Sequence, residues 1–349
     1  MPTREQAFFR MNGETEAMER RVGISPGEIT EQEERLASQS TGAPAIAAVI
    51  CTYNRYDLLP HAIASLEKQI LPSSALEILI VDNSADLDAQ REFWDTHSAP
   101  KNGRVLFDTV PGLSRARNTA TRAARAPIIA YMDDDAIAEP EWCSSIVGAF
   151  KELPDAGAVG GPVEPIWPGE EPPWLHKWQR GFFTIVDHGD ERRALGEKEW
   201  LAGTNIAFRR ADLEQIGGFH ESLGRIGASL LSNEELSVAA KLKEMGRVPY
   251  YEPGAKVLHR VHSERVSQQW LRRRVAWQVI SDLLSGTPKM QSEVCWSRLA
   301  EYLRQLPPEM RGVRGLFLDG PDSDLFYKQC EALEAVLYLA LNDGKDPEA

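Results

Sequence analysis

PIIAYMDDDA, residues 127–136, decides how this chain is read. A short apolar run ends on three consecutive aspartates. Without an alternation of apolar and polar residues, the run predicts a strand covered on both faces, as in the parallel sheets of α/β proteins. One aspartate after a strand commonly caps a helix or turns the chain. Three together repel one another and resist burial unless positive charge sits among them. A divalent cation such as Mg²⁺ or Mn²⁺ answers that need, since it prefers oxygen ligands and takes one or two carboxylates together with substrate phosphates.

Working outward, IAAVIC (46–51), EILIV (77–81) and RVLF (104–107) are further strand candidates. Leu58, Leu59, Ala62, Ile63 and Leu66 recur at helical spacing, and an Ala/Arg-rich helix is expected over 115–126. This alternation predicts an α/β fold with a mostly parallel sheet. The strands end in Thr52-Tyr53-Asn54-Arg55, Asp82-Asn83-Ser84 and Asp133-Asp134-Asp135, all delivered to the sheet edge where open α/β proteins bind ligands. Neither GxGxxG nor GxxxxGK[ST] occurs, so a dinucleotide Rossmann site and a P-loop are not expected.

At 349 residues the chain has room for about two domains or one large one. With 39 basic and 52 acidic residues its net charge is −13, which opposes a nucleic-acid polymer as partner. Any phosphate must be held by local cations or a bound metal. No run approaches the roughly 20 apolar residues of a membrane span, and the charged N-terminus lacks the apolar core of a secretory signal. Cys51, Cys143, Cys295 and Cys330 are far apart, as free thiols of a reducing, cytoplasmic environment would be.

Six stretches in order resemble the GT-A-fold glycosyltransferases of family 2, which use nucleotide-sugar donors. They are CTYNRYDLLPHAIASLEKQ (51–69), ILIVDNSA (78–85), GLSRARNTATRAA (112–124), IAYMDDDA (129–136), LAGTNIAFRRADLEQIGGFHESLG (201–224) and NEELSVAAKLKEMG (233–246). The resemblance implies a GT-A domain over 45–265, with a nucleotide-binding half (45–136) and an acceptor half (137–265). A polar arm (1–44) precedes it and a helical region (266–349) follows. It implies that Thr52, Tyr53 and Asn54 hold the nucleoside and that Asp82 bonds the base, with uracil as default. Arg117 and Asn118 would face the nucleotide, with Arg115 as a phosphate contact. Asp133 or Asp134 would point to the ribose, and Asp135 would bind Mn²⁺ or Mg²⁺ with His259 completing the site. Gly203 and Asn205 would lie beside the donor sugar. Where the family often has Gly-Glu-Asp, this chain has Asn233-Glu234-Glu235, so Glu235 inherits the role of general base with one extra methylene and Glu234 lies on the sugar side.

The chemistry implied is inverting transfer from a UDP-sugar to an acceptor hydroxyl, commonly on a carbohydrate. A sugar nucleotidyltransferase and a non-catalytic nucleotide- or sugar-binding descendant are the alternatives. The first would carry a Gly-rich basic loop after its first strand, which CTYNRYD is not. The Pro- and Trp-rich stretch 162–178, Trp174 in particular, reads as an acceptor-side loop or a packed surface loop. Residues 223–232 read as an active-site or linking loop. Arg265 and Arg272-Arg273-Arg274 form the most basic patch, facing a diphosphate, an anionic acceptor or solvent. The helices after 266 are expected to serve packing, acceptor binding or self-association.

Overall fold

The computed structural model describes residues 43–225, 229–286 and 290–342. The expected N-terminal arm up to residue 42, and residues 226–228 of the 223–232 loop, lie outside the described residues. The chain runs β1 (Ile46–Thr52), α1 (Leu59–Glu67), β2 (Leu76–Asp82), α2 (Leu87–Thr96), β3 (Gly103–Phe107), α3 (Leu113–Ala123), β4 (Ile128–Asp133), β5 (Ala136–Ala138) and α4 (Trp142–Glu152). It continues with β6 (Ala156–Gly160), β7 (Val163–Ile166), β8 (Arg193–Ala194), β9 (Ile206–Arg209), α5 (Arg210–Gln215), α6 (Glu234–Glu244), β10 (Val248–Tyr251) and β11 (Val257–Arg260). Three helices close it: α7 (Gln268–Leu284), α8 (Ser292–Gln305) and α9 (Ser323–Asn342).

The main sheet has the order β3-β2-β1-β4-β9-β6-β10-β8. Strands β1 to β4 pair in parallel, whereas β9 lies antiparallel between β4 and β6. The apolar runs are continuous because their alternate residues feed two cores. Ile46, Ala48, Ile50, Ile78, Ile80, Ile128 and Ala130 pack on one face with α1 and α4. Ala47, Val49, Leu79, Val81, Ile129 and Tyr131 pack on the other, where Ala116 and Ala120 let α3 approach. The order reverses between β1 and β4, so Thr52 and Asp133 end adjacent strands at the switch point, where α/β sheets open a binding crevice.

A second, three-stranded sheet of order β5-β11-β7 was not apparent in the sequence. It matters because β11 pairs antiparallel with β5, setting His259 opposite Ala136 and therefore beside the aspartates. The C-terminal helices share a core with the Trp-rich stretch: Leu271 and Val275 of α7 and Phe326 and Cys330 of α9 pack with Leu175, Phe183 and Val261. Among the described residues no helix is long and apolar enough to cross a membrane, and the four cysteines are free.

The two sheets are stitched by Asn205, which is fully buried. Its amide nitrogen donates to Pro162 O at 3.0 Å and Ala255 O at 2.7 Å, and its oxygen accepts from Trp142 Nε1 at 2.8 Å. Both amide hydrogens and one lone pair of its oxygen are thus engaged in the fold. Asn205→Ala should orphan three buried groups, each costing about 1–3 kcal/mol when unpaired; partial relaxation leaves an expected loss of about 3 kcal/mol in urea unfolding.

Candidate active site

The crevice at the ends of β1 and β4 opens into a cleft of about 1130 Å³ including its mouth, lined among others by Thr52, Tyr53, Asp133, Asp134, Gly203 and Glu235. Its charged floor follows from the strand ends. Thr52 Oγ1 donates to Asp134 Oδ2 at 2.7 Å. Arg55 Nη1 reaches Asp134 Oδ1 at 3.1 Å and Asp135 Oδ2 at 2.5 Å. His262 Nε2 lies 3.1 Å from Asp135 Oδ2, and His259 Nε2 lies 3.4 Å from Asp135 Oδ1. Burial pushes the Asp134 carboxyl up to about 7, against the pull of Arg55. Burial acts on Asp135 too, but His259, His262 and Arg55 outweigh it and hold that carboxyl well below its ordinary range.

Asp133, Asp135 and His259 each offer a ligand atom within 4.8 Å of the others. Asp135 Oδ1 and His259 Nδ1 are buried without a hydrogen-bond partner. Two carboxylates and an imidazole with unspent lone pairs suit an ion such as Mn²⁺ or Mg²⁺. The cluster could therefore hold a metal.

From the sheet face covered by α3, that helix delivers Arg117, whose side chain is 2% exposed. It donates to Glu234 Oε1 at 3.0 Å and Gly203 O at 3.0 Å, and lies 3.8 Å from Asp133 Oδ1. The rings of Tyr131 and Phe219 stand 5.6 and 5.4 Å from its guanidinium carbon. A Cβ on residue 203 would come within 2.8 Å of Arg117 Nη2, so glycine is required for this approach. Arg117 lines the cleft, but its hydrogen bonds organise Glu234 and the 203 loop.

Glu235 lines the same cleft with Oε2 buried and unpartnered. Burial, reinforced by the Glu234 carboxylate and opposed by Arg117, pushes its carboxyl up to about 8. The turn before it is fixed by Asn233, at φ 77°, whose amide donates to Asp282 Oδ1 at 2.8 Å and whose oxygen accepts from Gln278 Nε2 at 2.9 Å. Tyr338 of α9 donates to Asp282 Oδ2 at 2.6 Å. The C-terminal helices thus brace the segment that carries Glu235.

Several expected contacts lie elsewhere. Asp82 is fully buried and holds its own fold: Oδ2 accepts from Tyr56 at 3.0 Å and Trp94 Nε1 at 2.7 Å, and Oδ1 from the Ser84 amide at 3.1 Å. In this conformation it does not line the cleft. Arg115 turns to Asp108, at 3.0 Å, instead of a phosphate position. Asn118 pairs with both backbone groups of Phe219, at 2.8 and 2.9 Å, locking the turn at Gly217 and Gly218. Asn54 sits at the exposed rim, its backbone N–H donating to Ser84 Oγ at 2.8 Å. Trp174 is half-buried and packs edge-on against Phe326, ring centroids 5.3 Å apart, and it is not among the residues that line the cleft. Phe182 and Trp200 line the cleft in its place.

Three charged or titratable neighbours had no assigned role in the sequence, Arg55, His262 and Arg225, and Arg274 was read only as part of a basic patch with three open fates. Arg55 follows the TYN loop directly, so the loop itself was its signal. Arg274 is one of three successive arginines whose fates differ: Arg272 is buried against Asp319 at 2.6 Å, Arg273 is exposed, and Arg274 lines the cleft.

The sheet carries an acidic switch point that could hold a metal, with a carboxylate helix across the cleft, and comparison with known proteins gives its family. The model of glycosyl transferase family 2 matches residues 47–217. A glucosyl-dolichyl phosphate glucuronosyltransferase of Haloferax volcanii is 30% identical over 243 residues, 67% of this chain and 74% of that protein. A validoxylamine A glucosyltransferase of Streptomyces hygroscopicus is 25% identical over 202 residues, 51% of this chain and 47% of that one. A mannosyltransferase from Pyrobaculum calidifontis, solved with GDP-Man and Mn²⁺, aligns with a TM-score of 0.49 at 24% identity, covering 86% of this chain and 71% of its own. The chain belongs to glycosyl transferase family 2 and is a glycosyltransferase.

Removing the cation that pairs with a buried carboxylate costs about 3–5 kcal/mol, because the partner charge is left uncompensated. Arg117→Met should therefore lower the unfolding free energy by about that amount at neutral pH, read in guanidinium titrations.

Proposed function

We propose that the enzyme transfers a sugar from a nucleoside-diphosphate donor, a UDP-sugar in the family pattern, to an acceptor hydroxyl with inversion. The observation that carries this reading is the pairing in one cleft of an acidic floor bearing Asp133 with a partnerless carboxylate oxygen on Glu235. The relatives that transfer glucuronosyl and glucosyl groups, by their names, support a hexose or uronate as the transferred sugar. With Asp82 buried, the uracil assignment rests on the family pattern alone.

Asp133, Asp135 and His259 would hold the divalent ion, with Asp134 kept in place by Thr52 and Arg55. Bound there, Mg²⁺ or Mn²⁺ supplies Lewis-acid stabilisation of the charge on the leaving diphosphate. Arg55 adds positive charge at the same position. Thr52 and Tyr53 contribute the wall that receives the nucleoside. Glu235 takes the proton from the acceptor hydroxyl as its oxygen bonds to the anomeric carbon and the bond to the diphosphate oxygen breaks. One displacement with one base inverts the centre. Glu234, tied to Arg117, sets the position of Glu235 and takes no proton itself. The reading includes a cytoplasmic location.

Calorimetric titration of UDP, GDP and dTDP with and without Mn²⁺ tests the donor site: one of them should bind in a metal-dependent way, and Asp135→Ala should remove that dependence. Failure of all three to bind would refute the donor assignment. Glu235→Gln should keep nucleotide binding and lose transfer by at least a hundredfold. A base must be deprotonated to act, so with the Glu235 carboxyl at about 8, kcat/KM of the wild type should rise about tenfold per pH unit below that value and level off above it. A profile flat from pH 6 to 9 would remove Glu235 from the role.

A further inference from the structure

Three of the four arginines lining the cleft differ in how their charge is met. Arg55 is neutralised by Asp134 and Asp135, and Arg117 by Glu234. Arg274 is held by neutral oxygens: its Nη2 donates to Ser232 Oγ at 3.2 Å and Gln278 Oε1 at 2.9 Å. Its Nη1 is buried without a hydrogen-bond partner, and the Phe182 ring stands 5.7 Å from its guanidinium carbon. Among the described residues Arg274 makes no salt bridge, and Glu235, Glu234 and Asp282 act on this largely buried cation only through their longer-range fields. Such a charge is costly unless a partner arrives. A second cation, Arg225, lines the same cleft. Burial first, and then Arg225, pull the Arg274 guanidinium down to about 10.

The scaffold is preorganised for an incoming ligand. Gln278, which grips Arg274, also bonds Asn233 and Asp282, so the guanidinium is fixed to the same brace as the Glu235 helix. The floor at Asp133–Asp135 already has Arg55 for a diphosphate, whereas Arg274 feels the fields of Glu234 and Glu235.

We propose that the wall formed by Arg274 and Arg225 beside Glu235 is a subsite for an anionic group, a carboxylate or phosphate, carried by one of the two sugar substrates. This rests on the glycosyltransferase reading above and narrows its substrate class. The fork of Arg274 offers Nη1 to an oxyanion, and Nη2 keeps its protein partners.

The test compares wild type, Arg274→Gln and Arg274→Lys by calorimetry. The first measurement is the affinity for the nucleoside diphosphate, which Arg274→Gln should leave within twofold. In the donor arm, the uronate and the neutral hexose carried by that nucleotide are compared. In the acceptor arm, glucose 1-phosphate is compared with methyl glucoside, with and without nucleotide. In one arm the wild type should bind the anionic probe at least tenfold more tightly than the neutral one. Arg274→Gln should abolish that preference, and Arg274→Lys should keep part of it. Preference in the donor arm places the anion on the transferred sugar, and in the acceptor arm on the acceptor. A tenfold loss of nucleoside diphosphate affinity in Arg274→Gln, or no anion preference in either arm, would overturn the proposal. If the wild type binds no nucleoside diphosphate, the donor reading fails, and glucose 1-phosphate without nucleotide still decides the subsite.

Discussion

The Arg117 guanidinium carries a full charge with almost no water around it, and much of the site is organised by that fact. A charge so placed must be met on every side. Here Glu234 and the Gly203 carbonyl take its N–H groups, Asp133 stands close, and two aromatic faces cover the rest. Those partners come from four parts of the chain: the end of β4, which supplies both Tyr131 and Asp133, the loop before β9, the turn after α5 and the start of α6. Satisfying one buried cation therefore fixes the distance between the acidic floor and the carboxylate helix. Gly203 and the Asn118-locked turn at Phe219 serve that same geometry from the outside.

The acidity of the chain takes on a different meaning beside this arrangement. A net charge of −13 argues against polyanion partners, yet the cleft gathers Arg55, Arg117, Arg225 and Arg274. Two of these are matched by aspartates and glutamates from the same cleft. The local balance, and not the total, sets which anions can enter. The His259 and His262 rings extend the same logic, since they hold Asp135 ionised in a buried place.

The strands, the helices between them and the acidic sheet edge were legible because continuous apolar runs followed by polar triplets are local patterns. The 115–126 helix and the 127–132 strand fell within a few residues of α3 and β4. His259 could be named from the family pattern, but what brings it to Asp135 is a three-stranded sheet of short strands with weak periodicity. Asp82, Arg115, Asn118, Asn205 and Trp174 were singled out by residue type and position, and the structure gives each a protein partner as well. Their partners are Trp94, Asp108, Phe219, Trp142 and Phe326, which lie from seven to more than a hundred and fifty positions away, and no periodic pattern announces them. Arg274 was read only within its basic run, since three identical neighbours differ only by helical phase and by what surrounds each of them.

The bond from Tyr338 to Asp282 has a consequence in time as well as in space. The segment holding Glu235 is pinned through Asn233 and Asp282 to a tyrosine more than a hundred positions downstream. The sheet and its acidic floor can form as soon as β11 is made. The carboxylate helix acquires its last support when α9 docks. The acidic floor is thus encoded by chain made before the last support of the carboxylate helix.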